Sequence, residues 1–254
     1  RVEEVTGKDG EMGTIKYVML ADTERCVKCD ACVTACRAEW NTPLGYSRNW
    51  VREVEGSDAN GMPVLSFLSG RCNHCDMPPC VASCPTGASY KREDGMVLID
   101  RELCTGCEFC LDACPYDARY KDPLDGMISK CTFCQPRVDA GRQPACVEVC
   151  FNRALTFGDV NDPSSQVSGM LASGDWKPLV TPEVNTAPNI YYSASAQLDE
   201  SVLPRPVEQP LSARVLAEGV NPGIKISLSG MLGVFGVAGM LKLFKRREEV
   251  SENE

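Results

Sequence analysis

The chain contains sixteen cysteines, and all of them fall into four groups of four within its first 150 residues. The groups begin at Cys26, Cys72, Cys104 and Cys131, with the spacings C-x2-C-x2-C-x3-C, C-x2-C-x4-C-x3-C, C-x2-C-x2-C-x3-C and C-x2-C-x11-C-x3-C. Two-residue steps between cysteines wrap the backbone around one small volume, so that three sulfurs converge there while a fourth approaches from another side. Any fold of this chain therefore has to bring sulfurs together in sets of four.

The first and third groups have the spacing of the bacterial ferredoxin run, and proline follows both Cys84 and Cys114. The count predicts four [4Fe–4S] cubanes with no cysteine left over. Two alternatives stay open. Structural zinc sites also use C-x2-C pairs, although commonly as two ligands plus two. A disulfide framework is typical of short secreted domains and suits a chain of 254 residues poorly.

Composition and charge limit the function further. Aromatic residues make up only 7% of the chain, and glycine and proline number 21 and 17, so we expect inorganic clusters to form part of the core and folding to depend on their insertion. The net charge of −9 argues against nucleic-acid binding, which needs a basic face. The sequence has no phosphate-binding loop and no dinucleotide fingerprint, which predicts a protein without its own catalytic site.

Charged side chains near the cysteines are candidates for tuning a cluster. His74, the only histidine, lies between Cys72 and Cys75, where it either tunes a cluster, relays a proton or simply packs behind the ligands. The last interpretation is favoured, because sixteen sulfurs already fill sixteen ligand positions. Three cations near ligands in sequence could raise cluster potentials, or could equally be solvated: Arg71, Lys130 and Arg137.

An internal repeat organises the cysteine-rich part. In the last three groups an alanine stands four residues after the final cysteine and leads into a short strand-like run. The predicted unit is a cysteine loop, a short helix carrying the last cysteine, and a hairpin strand. The strands and turn expected from the sequence are Thr14–Ala21, a hairpin of Asn49–Glu55 and Val64–Leu68, a turn at Asp94-Gly95, and Leu155–Phe157.

The predicted fold class is α+β, with two ferredoxin-like [4Fe–4S] modules, an extended arm and one transmembrane helix. Short helices are expected over Pro163–Ser173 and Pro210–Glu218. The predicted domains are a double ferredoxin-like domain (1–160) in which the module 72–118 is inserted between 26–36 and 131–150, an arm (161–223), a transmembrane helix (224–244) and a cytoplasmic tail (245–254).

The transmembrane prediction comes from the uncharged stretch ISLSGMLGVFGVAGML at 226–241. Its sixteen residues would span about 24 Å as a helix, and Leu243 and Phe244 extend it toward the roughly 30 Å of a bilayer core. Basic residues cluster on its C-terminal side, so the positive-inside rule predicts a cytoplasmic C-terminus and a periplasmic cluster domain. A buried or interfacial helix is the alternative. Because the sequence starts at Arg1, we also expect that an N-terminal piece has been removed.

Three stretches carry a family resemblance: RCNHCDMPPCVASCPTGASYKREDG, CTGCEFCLDACPYDARY and KCTFCQPRVDAGRQPACVEVC. Over roughly residues 14–195 the chain resembles the four-cluster iron–sulfur subunits of the complex iron–sulfur molybdoenzyme family. It is most similar to the polysulfide and thiosulfate reductase branch and to the related subunit of periplasmic nitrite reduction. The C-terminal anchor looks more like that of formate dehydrogenase subunits.

The resemblance implies crossed ligation in four sets, in which the last cysteine of each group belongs to a partner group. The sets are A (Cys26, Cys29, Cys32 and Cys150), B (Cys36, Cys131, Cys134 and Cys146), C (Cys84, Cys104, Cys107 and Cys110) and D (Cys72, Cys75, Cys80 and Cys114). Relatives with tryptophan at the position of Cys107 carry a three-iron cluster, so four cubanes are implied here. Phe151 departs from the family pattern, which has proline after that last cysteine.

The resemblance also implies a function. The chain is expected to be a non-catalytic electron-transfer subunit of a membrane-bound respiratory complex, between a molybdopterin-type catalytic subunit and an integral membrane quinone-interacting subunit. Set A is expected to face the catalytic partner and set D the membrane. The alternatives are a transient ferredoxin-like carrier, or the electron-transfer subunit of a cytochrome c-linked quinone reductase or nitrite reductase system, with a cytochrome c subunit as partner.

Overall fold

The computed structural model describes residues 14–57, 60–174, 176–193 and 202–207. These residues form short strands and helices, as expected for an α+β fold. The strands are β1 (Tyr17–Ala21), β2 (Asn49–Ser57), β3 (Pro63–Arg71), β4 (Ser89–Lys91), β5 (Val97–Ile99), β6 (Arg119–Lys121), β7 (Ile128–Lys130), β8 (Leu155–Asp159), β9 (Trp176–Pro178) and β10 (Ile190–Ser193). The helices are α1 (Ala31–Trp40), α2 (Pro79–Ala82), α3 (Phe109–Asp112), α4 (Gln135–Asp139), α5 (Ala145–Glu148) and α6 (Gln166–Ser173).

The largest sheet has four strands in the order β8-β1-β10-β9. Strand β1 lies antiparallel to β8 and parallel to β10, with Met19 opposite both Phe157 and Ile190. Side chains alternate between the two faces of a strand, and both faces of β1 are covered. Val18 and Leu20 pack in the cluster that includes Val167 of α6, whereas Met19 belongs to the main core that also contains many of the cysteines.

Three two-stranded hairpins accompany this sheet: β2-β3, β4-β5 and β6-β7, all antiparallel. The hairpin expected between the first two cysteine groups is confirmed. The turn at Asp94-Gly95 is also confirmed, since Gly95 has φ of 87° and an Asp94 carboxylate oxygen accepts the Met96 N–H at 3.1 Å. The β4-β5 and β6-β7 hairpins connect consecutive cysteine groups and hold them at short separations.

A short helix follows each cysteine loop, but in three groups it does not carry the last cysteine. Helices α2, α3 and α5 contain the third cysteine of their groups, and the fourth comes two residues after each helix ends. Only α1 contains both, Cys32 and Cys36. Proline disfavours the helical conformation of the residue before it, which explains why the helix ends before Cys84 and Cys114. The same end before Cys150, which precedes Phe151, shows that proline is not required for it.

Residues 176–193, part of the predicted arm, lie against this chain's own cysteine-rich region and contribute β9 and β10 to the main sheet. The Asn189 side chain donates to the His74 carbonyl oxygen at 2.7 Å and to an Asp76 carboxylate oxygen at 2.8 Å. The Tyr116 hydroxyl is 3.0 Å from the Leu179 carbonyl oxygen. This segment therefore closes over the second cysteine loop.

Helix α6 begins at Gln166, three residues later than the predicted start at Pro163. The predicted helix Pro210–Glu218, the transmembrane segment 224–244 and the tail 245–254 lie outside the described residues. Within the described ranges, no helix has the length and apolar character needed to cross a bilayer.

Candidate iron–sulfur sites

All four cysteine loops share one backbone feature. The residue immediately before the second cysteine has a positive φ in every group: 50° at Lys28, 44° at His74, 65° at Gly106 and 54° at Phe133. Three of these four are not glycine, and holding such residues in this region costs on the order of 1–3 kcal/mol each, so it persists only where surrounding contacts require it. Backbone that alternates between right- and left-handed conformations turns successive N–H groups toward one point, which suits an anionic iron–sulfur group. The same left-handed turn thus recurs in all four cysteine loops.

A second repeated turn follows the last cysteine of three groups. Gly87, Asp117 and Arg153 each stand three residues after that cysteine, with φ between 50° and 72°. The turn lets backbone N–H groups bond to sulfur: Ala154 donates to Cys150 Sγ at 3.2 Å, and Ser89 donates to Cys84 Sγ at 3.3 Å. The alanine repeat seen in the sequence therefore marks a sulfur-binding turn.

Set A surrounds one cavity. Cys26, Cys29, Cys32 and Cys150 all line it, together with apolar side chains that include Val51. Burial raises the pKa of the Cys26 and Cys32 thiols, and the neighbouring thiols of the set raise it further. The structure thus brings the last cysteine of the fourth group to the first loop.

Set B is fully buried. The Cys36 thiol lies close enough to Cys131, Cys134 and Cys146 for their charges to interact, and burial, more than this repulsion, raises its pKa. The indole N–H of Trp40 donates to Cys134 Sγ at 3.5 Å. The last cysteine of the first group therefore joins the fourth loop.

Set D is also fully buried. Burial is the largest cause of the raised pKa of the Cys75 thiol, and the thiols of Cys72, Cys80 and Cys114 add to it. The Thr186 hydroxyl opposes that effect by donating to Cys75 Sγ at 3.0 Å.

Set C reaches the surface. Cys110 is close enough to Cys84 to interact electrostatically, and it packs in the same small cluster as Cys104. Cys107 is exposed. Although burial acts to raise the pKa of the Cys84 thiol, hydrogen bonds from the Ser89 N–H and from Thr86 outweigh it and lower that pKa.

Electrostatic interactions between thiols of different sets indicate the order of the sets. Cys146 of set B interacts with Cys32 of set A, Cys131 of set B with Cys72 of set D, and Cys110 of set C with Cys80 of set D. The sets therefore lie in a row, A–B–D–C. The expectation that set D is the membrane-facing end of the row is wrong, because set D is buried between B and C.

The predicted candidates for tuning divide into two kinds. Arg71 and Lys130 are buried, each only 1% exposed. Arg137 instead forms ion pairs with Glu39 and Glu148. Sequence reasoning missed Arg119, which is 6% exposed and donates from Nη2 to Cys80 Sγ at 2.8 Å. The nearest cysteine in sequence is Cys114, five residues earlier, and nothing near Arg119 in the sequence predicts a contact with Cys80.

His74 is completely buried and stacks on Phe133 with ring centroids 3.6 Å apart. Its Nδ1 accepts the Val97 N–H at 3.0 Å. Burial, reinforced by the nearby charges of Lys130 and Arg119, holds the pKa of the imidazole well below its usual range, so the ring is neutral. It packs behind the second cysteine loop.

Several buried N–H groups test whether iron–sulfur clusters fit these sites. Arg71 Nε, Arg119 Nε and Nη1, and His74 Nε2 have no hydrogen-bond partner among the described residues. Unmade hydrogen bonds of buried polar groups are costly, and cluster sulfides and thiolates are the kind of acceptor that would satisfy them. Across the described residues, which include every cysteine, no three Cys, His, Asp or Glu side chains converge tightly enough to hold a single metal ion. The unpartnered N–H groups therefore fit a sulfur-containing anionic group.

Comparison with known proteins gives a consistent result. Two models of the 4Fe-4S dicluster domain match, at residues 63–160 and 25–88. The B subunit of tetrathionate reductase from Salmonella typhimurium is 42% identical over 179 residues, which cover 70% of this chain and 72% of that protein. The B polypeptide of polysulfide reductase from Wolinella succinogenes is 44% identical over 69% of this chain and 93% of its own length. The thiosulfate reductase electron transfer subunit PhsB of Salmonella typhi is 43% identical, covering 60% and 81%.

Proposed function

Because this polypeptide belongs to the family of iron–sulfur electron-transfer subunits that includes those of the tetrathionate, thiosulfate and polysulfide reductases, we propose that it relays electrons along four [4Fe–4S] clusters held by sets A, B, D and C in that order. The protein is an electron-transfer subunit of a reductase complex and carries 4Fe–4S clusters. The number of clusters, their ligands and the identity of the partners belong to the proposal.

The single observation that carries the proposal is the row of four sulfur sets. Each set unites cysteines from two groups, and neighbouring sets are close enough for their thiols to interact. A bound [4Fe–4S] cluster supplies one-electron oxidation and reduction at each position. The protein contributes the thiolate ligands, the N–H groups that bond to sulfur, and a dry interior, and these features set each potential.

Exposure of the cysteines identifies the ends of the row. Cys29 of set A and Cys107 of set C are exposed, whereas every cysteine of sets B and D is buried. Among the described residues, sets A and C therefore lie nearest to the surface that a partner could approach. We propose that set A faces a molybdopterin-type catalytic subunit and set C an integral membrane quinone-interacting subunit, so that the protein connects the two.

We further propose the location that charge asymmetry predicts: a C-terminal membrane anchor at 224–244, with the cluster domain on the periplasmic side. A transient ferredoxin-like carrier would also use surface-reaching clusters. What favours a fixed subunit is the similarity to proteins named as components of reductases, which extends over most of their length.

The test is to purify the native assembly and to measure iron, acid-labile sulfide and electron paramagnetic resonance together. We expect about sixteen iron atoms per polypeptide, as four cubanes require, and co-purification with a molybdenum-containing subunit. Roughly one zinc per four cysteines without labile sulfide would end the redox interpretation. Isolation as a stable monomer, with no large partner, would favour the transient carrier.

A further inference from the structure

Three cations of the described residues are buried among the sulfur sets: Arg71, Lys130 and Arg119, with exposures of 1%, 1% and 6%. Within residues 14–57, 60–174, 176–193 and 202–207, none of the three forms an ion pair with a carboxylate. Cations nearer the surface differ, as Lys16 is paired with Asp76 and Arg92 with Asp139. A buried charge without an opposite charge is strongly unfavourable, so these three cations need anions that other parts of the site provide.

Arg71 lies between sets A and B. Its Nη1 donates to Cys146 Sγ of set B at 3.2 Å and to Met19 Sδ at 3.1 Å. Its Nη2 donates to Ser69 Oγ, and Ser69 lines the set A cavity together with Cys32. Because Cys32 belongs to set A, one cation serves both sets.

Arg119 occupies the same kind of position between sets D and C. Its Nη2 donates to Cys80 Sγ of set D at 2.8 Å and to Ser89 Oγ at 2.8 Å. Ser89 in turn donates its backbone N–H to Cys84 Sγ of set C at 3.3 Å, so the contacts of Arg119 connect both sets.

Lys130 lies at the remaining junction, between sets B and D. Its Nζ donates to the Cys131 carbonyl oxygen at 2.8 Å and to the Val97 carbonyl oxygen. Cys131 is a set B residue, and Val97 packs in the same apolar cluster as Cys80 of set D. Each junction in the row A–B–D–C therefore contains one buried cation.

We propose that Arg71, Lys130 and Arg119 form a series of junction cations, each of which raises the reduction potentials of its two flanking clusters and screens the repulsion between them. The inference rests on the proposed function, because it requires clusters in all four sets. Reduction adds negative charge to a site, and two adjacent reduced sites repel one another in a medium of low dielectric constant. A fixed cation between them stabilises the reduced state of both, so neighbouring clusters can hold electrons at the same time.

Arg48 provides an internal contrast. It is buried, with 9% exposure, and its guanidinium lies 4.2 Å from the centre of the Trp40 ring. The indole N–H of the same Trp40 donates to Cys134 Sγ of set B at 3.5 Å. Because Arg48 lies beside one set and not between two, its charge should affect set B alone.

The test uses the intact complex carrying Arg71→Gln, Lys130→Gln or Arg119→Gln, with potentials measured by redox titration under electron paramagnetic resonance. Each variant should lower the potentials of two adjacent clusters: A and B, then B and D, then D and C. The expected size is about tenfold in the one-electron reduction equilibrium, or about 59 mV. Arg48→Gln should lower set B only. The exposed, ion-paired Lys121, replaced by glutamine, is the matched control and should shift no cluster by more than about twofold.

Charge-conserving variants distinguish the effect of the charge on the potentials from the effect of the hydrogen bonds. They also test the inference if a glutamine variant assembles poorly. Arg71→Lys, Lys130→Arg and Arg119→Lys should keep all potentials within about threefold of the unsubstituted protein, since the charge remains. Full cluster content with unchanged potentials in the glutamine variants, equal shifts of all four clusters, or tenfold shifts in the charge-conserving variants would overturn the inference. Absence of clusters from the unsubstituted protein would instead refute the proposed function.

Discussion

The outer sets A and C and the inner sets B and D differ in how the polypeptide encloses them. Each outer set has one exposed cysteine, two of intermediate exposure and one buried cysteine, the third of its loop. Each inner set has four buried cysteines. Two sets therefore combine access to the surface with partial enclosure, whereas the other two are part of the interior.

Because of this difference, the inner sets contribute mainly to the core and the outer sets mainly to electron exchange with partners. Cys72, Cys75, Cys131 and Cys146 of the inner sets belong to the main core, alongside side chains such as Met19 and Phe133. Of the outer sets only Cys32 is a buried member of this core, so the inner sets contribute more to holding the fold together, in addition to their place on the proposed electron path. The outer sets lie where a partner could approach them, so a change there should disturb electron exchange more than stability.

Removal of iron should have the largest effect, and the outer sets should lose their iron earlier than the inner sets. A chelator applied to the purified protein should take iron first from sets A and C, because Cys29 and Cys107 are exposed. Cooperative unfolding should be lost only when sets B and D are emptied, since metal binding and folding are coupled in such domains. Parallel recording of cluster signals and circular dichroism checks the order. Simultaneous loss of all four signals would contradict the division into inner and outer sets.

Single ligand substitutions come next in size. Cys131→Ser removes an inner ligand whose thiol also interacts with Cys72 of the next set, so we expect loss of clusters B and D. The amount of folded protein should fall at least tenfold, which corresponds to a free energy on the order of 1.4 kcal/mol. Cys107→Ser, in an exposed position, should alter cluster C alone and leave the yield within about twofold. Iron content and paramagnetic spectra of the two variants provide the measurement. Equal losses in both would show that burial does not decide the outcome.

Strain in one outer loop gives a third effect, which leaves every cysteine in place. Gly106 has φ of 65°, and a Cβ there would lie 2.1 Å from the Gly126 carbonyl oxygen. Gly106→Ala should therefore cost about 2–4 kcal/mol, from backbone strain together with the overlap. Gly141 has φ of 71°, but a Cβ at that position would meet no atom within 4 Å, so Gly141→Ala should cost only about 1–2 kcal/mol. Denaturant unfolding of the iron-loaded protein compares them, and equal costs would rule out the overlap as a cause.

The sequence predicted much of the local structure but not which cysteines lie inside. Hairpin β2-β3 and the turn at Gly95 followed from alternation and turn residues. The alanine repeat marked where the sulfur-binding turns lie, but the sequence did not predict their hydrogen bonds to sulfur. The loops of the outer sets share the spacing C-x2-C-x2-C, whereas those of the inner sets have a longer second step, of four residues in one and eleven in the other. No physical rule connects a longer step with burial, so burial of sets B and D could not be predicted from the spacing. Burial depends on long-range contacts, such as those of β10 with β1, which the sequence of residues 175–210 did not indicate.

Which cations contact sulfur was even harder to predict from the sequence. Arg71, Lys130 and Arg137 all stand within three residues of a cysteine, yet the first two are buried and the third is paired with two carboxylates near the surface. Arg119, five residues from its nearest cysteine, contacts sulfur directly. Distance in sequence does not predict contact with sulfur, because the β6-β7 hairpin and the crossed sets decide which side chains face inward.

Two threonine hydroxyls next to sulfur give the smallest expected effect. Thr186 donates to Cys75 Sγ of inner set D at 3.0 Å in a buried position, whereas Thr86 lies 3.6 Å from Cys84 Sγ of outer set C in an exposed one. A hydrogen bond to a charged acceptor strengthens as its surroundings become drier, and its loss leaves less stabilisation for the reduced site. Thr186→Val should therefore lower the reduction equilibrium of cluster D by about tenfold, as expected for a hydrogen bond worth roughly 1.5 kcal/mol. Thr86→Val should change cluster C by less than about twofold, because water replaces the exposed hydroxyl. Redox titration of both variants distinguishes the cases, and a larger shift for Thr86→Val would mean that water access, not burial, sets the strength of these bonds.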